Sequence, residues 1–475
     1  MPAQIENKNK LNMMIVTISL FTYLCALFTH WYSIKYGRLF IQGYGYAFTL
    51  IALGTLLSMK ALFQRKEYKL AALFVIWYML TRIMSGMFFL EKVQFNTIFL
   101  IAAMCIAFVY PSLVSKKNSV LVETIFGIVV IGFFTAVAWL AIYAVVTKQV
   151  MQLQNATFTI ELAKDRRLWI WFKHPNVTAG VYSICYLAVL YHLARQKKPQ
   201  YLLVPAIVAC ASAYVMIALT VSRTAMILIA ILTGVIIALW VNQLRLKVNR
   251  GLKIGIVILV AVISVGITYT GYSFVNTGIE RLAGGEVIPS EVLAMEPQPQ
   301  QVHQMNSAEI EDDEQAQDEL ASMIATRPLE GKWGTLNGRT DIYMAVVKTL
   351  IENPKILLIG SEDRAFMPLV NLHLSQDFAH THNAFLQVLM TCGIVGLAIM
   401  VWLVFLFVKK GIGLIFKRDF RLSDIILGMI PLLILTHALL EPFIFNNYDM
   451  VNYLFFAYAG MMVNRCAERQ QDRSA

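Results

Sequence analysis

The side chains best placed to do chemistry are a few histidines and arginines set beside long apolar runs. His380-Thr-His382-Asn383 stands immediately ahead of one such run. Its histidines admit three readings. With His373 and Asp377 upstream the pair could ligate a metal, although no Cys, Asp or Glu cluster of supporting spacing accompanies it. It could be an interfacial pair with no role. The favoured reading is a general base at a membrane surface, because imidazole exchanges protons near neutral pH. Arg223, in Thr220-Val-Ser-Arg-Thr224, is the only charge between Gln200 and Arg245. An arginine so placed costs on the order of a few kcal/mol unless it snorkels, pairs or faces a wet cavity. It either snorkels or clamps an anion, since a guanidinium fork matches a phosphate and Ser222 and Thr224 could add hydroxyl donors. Arg82 lies in the outer half of another apolar run, as a structural partner or as part of the same anionic site. Glu441, with His437 nearby, closes a further run, where it could orient an arginine or simply face water. Lys164, Arg166, Arg167 and Lys173, followed by His174-Pro-Asn176, crowd one connection, and Arg339 sits in Leu336-Asn-Gly-Arg-Thr340. These last charges read equally as solvated loop residues.

The elements that must position these groups follow from composition. Of 475 residues, 58% are hydrophobic and 15% charged, and the mean hydropathy is +0.62. Soluble domains average about 45–50% apolar and about 25% charged. A cytosolic enzyme, a disordered chain and a secreted disulfide scaffold are thereby excluded, and a polytopic membrane protein is indicated. Cys25, Cys105, Cys185, Cys210, Cys392 and Cys466 show neither disulfide nor zinc-ligand spacing. A hydrocarbon core about 30 Å thick takes roughly 20 apolar residues as helix. Twelve such runs occur, near 13–31, 39–59, 70–89, 94–114, 119–146, 176–194, 201–221, 224–244, 254–272, 383–408, 424–441 and 447–463. The first is too long, and lacks the small-residue site, for a cleavable signal. Over half of the 40 lysines and arginines fall in alternate connections, whereas the short connections opposite hold only Lys35, Arg38 and Lys92. Both termini are therefore predicted to be cytoplasmic. That distribution explains the net charge of +11 without nucleic acid as a partner.

The predicted organisation is all-α: helices 1–9 within 1–272, an extracytoplasmic loop at 273–382, helices 10–12 within 383–463, and a cytoplasmic tail at 464–475. A second long connection, about 147–175, lies on the same outer side. The loop divides by composition. Residues 286–330 hold eleven acidic residues and one basic one; this stretch is too polar to bury a core and reads as a solvated, disordered insertion. Residues 334–382 read as a compact, partly helical subdomain on the membrane that carries site residues. Asp341–Ile351 has helical apolar spacing, and Asn353-Pro354 ends it.

These features together resemble the O-antigen ligase and polysaccharide polymerase superfamily of bacterial inner-membrane glycosyltransferases. The family's His-Asn, nine residues, Gly-x-x-Gly-Thr signature reads here His382-Asn383, nine residues, Gly393-Ile-Val-Gly396-Leu397, with Leu397 for the threonine. Gly338-Arg-Thr-Asp-Ile-Tyr-Met-Ala345, then Asn353-Pro354 and Ile359-Gly360, resembles the loop before that histidine. Ser222-Arg-Thr224 resembles the family's transmembrane arginine, and His174-Pro-Asn176 its Asn-Pro-Asn stretch. The resemblance covers roughly residues 160–400.

The resemblance implies a GT-C-like fold and a donor glycan carried on undecaprenyl diphosphate. The implied acceptor is a sugar hydroxyl, on lipid A core or on another lipid-linked repeat. No metal, nucleotide or other cofactor is implied. Carried over by motif, His382 is the catalytic base, and Arg223 and Arg339 hold the diphosphate. Arg166, Arg167, His380, Asn383, Arg82 and Asn176 are supporting candidates. Such a site belongs at the extracytoplasmic rim of the bacterial cytoplasmic membrane. The alternative is a transporter or flippase of lipid-linked sugars, against which stand the lack of an internal repeat and the polar candidates' clustering on one face.

Overall fold

A computed structural model of the chain describes residues 65–89, 104–112, 116–147, 151–152, 159–162, 168–169, 175–196, 199–243, 250–282, 336–361, 363–374, 378, 380–415, 421–442, 444 and 449–474. The spans expected at 13–31 and 39–59, the acidic stretch 286–330, and Arg166 and Arg167 lie outside these residues. The helices are α1 (Lys66–Phe89), α2 (Lys116–Thr147), α3 (Pro175–Arg195), α4 (Leu203–Leu219), α5 (Arg223–Gln243) and α6 (Arg250–Leu282). Then come α7 (Leu336–Glu352), α8 (Pro354–Ile359) and α9 (Asp363–Asn371), followed by α10 (Ala384–Ile415), α11 (Leu422–Ala438) and α12 (Asp449–Ser474). Helices α1, α2, α3, α5, α6 and α10 are long and apolar enough to cross a membrane, and α4 and α11 are shorter apolar helices. The chain is a polytopic helical membrane protein. Three short antiparallel strands, Met151–Gln152, Thr159–Leu162 and Leu168–Trp169 in that order, punctuate the connection between α2 and α3.

Ion pairs fix how the helices run. Glu67 at the start of α1 meets Lys410 late in α10 at 2.9 Å, and Glu123 of α2 meets Arg195 at the end of α3 at 2.7 Å. Asp424, buried at the start of α11, holds Arg465 at 2.9 Å and also Arg469, both from the last part of α12. Each pair joins the beginning of one helix to the end of another, so these neighbours are antiparallel. One end of the bundle is basic. The other gathers the start of α3, the α4–α5 turn, helices α7–α9, the start of α10 and the end of α11. Helix α3 is apolar on all sides and buried on all sides, with Val177, Val181, Ile184 and Leu187 in the core. The turn at Thr220–Ser222 is as tight as the single apolar run required, with Val221 at a positive φ of 50°.

Helices α7–α9 build a small second core, Ile342, Val346, Phe366 and Val370, against Met390 of α10. What docks them is a break in α10. Gly393 has φ 66° and ψ −175°, and Gly360, just after α8, has φ 83°. A Cβ on Gly393 would strike the Leu358 carbonyl, and one on Gly360 the Thr391 carbonyl. The carbonyls freed by the break are taken up from outside the helix: Met390 by the Ser361 N–H at 2.8 Å, Thr391 by Arg82, and Cys392 by the Trp77 indole at 2.8 Å. Buried backbone groups must find such partners. Gly393→Ala combines a left-handed backbone with a clash, so a loss of about 3 kcal/mol is expected. It would be read as a lowered thermal midpoint of purified protein; an unchanged midpoint would show that the two backbones can part freely.

Candidate active site

Four segments far apart in sequence meet at the end of the bundle opposite the basic one. Asn383 begins α10 and caps it, its Oδ1 accepting the Phe385 and Leu386 N–H groups at 2.9 and 3.1 Å. Its amide donates to the Leu439 carbonyl at 3.0 Å, tying the start of α10 to the end of α11. Thr381 is locked onto Gln387 through both its N–H and its hydroxyl. Between these fixed residues His382 adopts a left-handed backbone, φ 52°. Its N–H donates to His380 Nδ1 at 3.3 Å, its carbonyl accepts from the Tyr343 hydroxyl at 3.3 Å, and its ring packs on His380 and edge-on to Phe378. The conformation costs on the order of 1 kcal/mol in a non-glycine residue, and such strain often accompanies a site that needs one orientation.

Glu441, three residues past the end of α11, is the hub. Its carboxylate is 5% exposed. Oε1 accepts from the Asn176 amide at 2.7 Å and from Arg339 Nη2 at 3.1 Å. Oε2 lies 3.3 Å from His382 Nδ1, a buried ring atom that is not aligned in any hydrogen bond. Backbone bonds of Leu440 and Glu441 to the His437 carbonyl, at 2.9 and 3.0 Å, fix the carboxylate's place. A buried anion thus faces one arginine, one amide and one imidazole. The His382 side chain is 19% exposed and that of Arg339 26%, so both remain open to a ligand. His380, His382 and Glu441 each bring one possible metal-ligand atom within 4.8 Å of the others, although Arg339 already shares the carboxylate.

The structure brings together Asn176, Arg339, His380, His382 and Asn383 of the residues singled out in the sequence. Arg223 opens α5 at the same end of the bundle and is exposed. Arg82 is elsewhere. Its guanidinium is buried, donates to the Ser361 carbonyl at 3.1 Å and to that of Thr391, and lies over the Tyr78 ring. It serves the α10 break and not the carboxylate hub. Sequence reasoning offered Glu441 only as a carboxylate that could orient an arginine or face water, and it left Tyr343 out altogether. A lone acid closing an apolar run was the available signal for the first; nothing marked the second.

Residues 206–401 match the family model described as O-antigen ligase. No curated protein matches the chain. The matched stretch begins in α4 and ends in α10, so it holds Arg223, Arg339, His382 and Gly393 but neither Asn176 nor Glu441.

Proposed function

Because residues 206–401 match the family model described as O-antigen ligase, we propose that this chain is a membrane glycosyltransferase of that type, which moves a glycan from a polyprenyl diphosphate, of the undecaprenyl class, to a sugar hydroxyl. The observation that carries this reading is the meeting of Asn176, Arg339 and His382 on the single carboxylate of Glu441. With Nδ1 turned to a carboxylate, the ring proton sits on Nδ1 and the lone pair on Nε2. Nε2 takes the proton of the acceptor hydroxyl as its oxygen bonds to the anomeric carbon. The bond from that carbon to the diphosphate oxygen breaks, and its electron pair leaves with the diphosphate. Arg339, with Arg223 from the same end of the bundle, neutralises the charge that develops there. Attack opposite the leaving group inverts the anomeric centre. A diphosphate leaving group is already activated, so the chemistry asks for no nucleotide or metal, and turnover in EDTA is expected. A cluster at one end of the helices suits chemistry at a membrane surface better than transport through a mid-membrane site. We place it on the extracytoplasmic face of a bacterial cytoplasmic membrane, with both termini cytoplasmic, from the lysine and arginine distribution.

Arg339→Lys is expected to lower turnover by about tenfold or more, because an ammonium cannot replace the planar fork; near-normal turnover would reject the diphosphate contact. Incubating purified protein with lipid-linked oligosaccharide separates the two acceptor classes. A ladder from donor alone means polymerisation onto a lipid-linked repeat. A single transfer that needs a second acceptor, such as lipid A core, means ligation.

A further inference from the structure

Helix α7 is not amphipathic in the ordinary sense. One side closes the small core with Ile342, Ala345, Val346 and Leu350. The exposed side is itself divided. At about 100° per residue, Asp341, Lys348 and Glu352 share one strip. Met344, Val347 and Ile351 share the next, 64%, 45% and 75% exposed. Leu358 of α8 and Leu372 just after α9 add two more large apolar side chains, 60% and 79% exposed. A contiguous apolar strip of this kind has a partner.

The level of α8 identifies it. The Glu67–Lys410 pair marks the basic end of α1 and α10. Gly393 stands 17 residues from Lys410 along α10, about 25 Å at 1.5 Å per residue. Arg82 stands 15 residues from Glu67 along α1, about 22 Å. Both lie within a hydrocarbon core about 30 Å thick. Yet Gly393 abuts the Leu358 carbonyl, and Arg82 binds the Ser361 carbonyl. The end of α8 therefore lies level with lipid-facing side chains of the spans, Ile394 and Val395 on α10 and Leu80 and Ile83 on α1, all exposed.

We propose that α7–α9 forms an interfacial unit seated in the bilayer leaflet nearest the Glu441 cluster. Phospholipid acyl chains cover Met344, Val347, Ile351, Leu358 and Leu372, and Asp341, Lys348 and Glu352 lie among the headgroups. Interfacial helices seat their apolar face about 5–10 Å into this boundary. Where the glycosyl-transfer reading holds, the unit also sets the height of the site. Arg339 is in the first turn of α7 and Tyr343 in the next, so both are held where the diphosphate of a bilayer-anchored donor lies.

The test is photocrosslinking of the full-length protein in nanodiscs of phosphatidylethanolamine and phosphatidylglycerol. Benzoylphenylalanine is placed singly at 351, 358 and, as a control, 341; all three side chains are exposed, so folding is not challenged. Intact-mass measurement should show phospholipid adducts at 351 and 358 in several-fold excess over 341. Equal yields at the three positions, or adducts to a second copy of the chain in place of lipid, would overturn the proposal. The readout does not involve turnover, so a failed transfer assay leaves it standing and a failed crosslink leaves the transfer reading standing.

Discussion

Replacing His382 with asparagine is expected to lower glycan transfer by about 10²–10⁴-fold, the usual contribution of a positioned general base, with little change in thermal stability. Asparagine is the informative substitution because it tolerates the left-handed backbone this position requires, φ 52°. Its amide can still face Oε2 of Glu441, but it has no basic nitrogen. His382→Ala should be equally inactive and somewhat less stable, since alanine bears the backbone strain with no contact to the carboxylate. Donor binding, followed with a non-transferable lipid diphosphate, should survive in both variants. Transfer within a fewfold of the parent would remove His382 from the chemistry, whatever its neighbours do.

Glu441→Ala is expected to have the second-largest effect, and on two quantities together. It strips a buried anion from Asn176, Arg339 and His382 at once, leaving an arginine without its counter-charge and an imidazole without the carboxylate that faces its Nδ1. Removing one partner of a fully buried pair costs about 3–5 kcal/mol. Arg339 is a quarter exposed, and water recovers part of that, so about 2 kcal/mol is the expected loss of stability. Transfer should fall by about 10²-fold, because base and phosphate ligand both lose their orientation. Glu441→Gln separates the two effects. Its amide oxygen can still accept from Asn176 and Arg339, so most of the stability should return, while the imidazole loses its anion and transfer stays low. Full activity in the glutamine variant would reduce Glu441 to a structural tie.

Much of this arrangement was legible in the sequence, for physical reasons that also mark where legibility stopped. The turn at 220–222 followed from an apolar run too long for one span and interrupted by one charge. The helix over 341–351 and its end at Asn353-Pro354 followed from spacing and from proline's missing N–H, although the chain re-enters a helix at once with Pro354 in its first turn. Position alone left His380 and His382 on a par and Arg339 as a possible solvated loop charge; the family resemblance singled out His382 and Arg339. Glu441 read as a carboxylate that could orient an arginine or face water, but which partners it takes was hidden, because they lie 265, 102 and 59 residues away along the chain. Periodicity reports which face of a helix is apolar but not which other helix ends beside it. In the sequence Gly393 and Gly396 form a small-residue pair of the kind that permits close helix approach. Gly396 does face Trp77, but Gly393 breaks the helix, and the need for a positive φ appears only once α8 is seen against it. Arg82 could have served structure or site from its position alone; the carbonyls it binds belong to that same break.

The most direct measurement of the central claim uses purified protein in a lipid bilayer, a defined oligosaccharide on polyprenyl diphosphate as sole donor, an acceptor glycan and EDTA. Released polyprenyl diphosphate and the anomeric configuration of the new linkage are followed together. The proposed chemistry predicts one diphosphate released per inverted glycosidic bond formed, and neither from the His382→Asn protein. Release without transfer, a retained configuration, or equal turnover by that variant would contradict it.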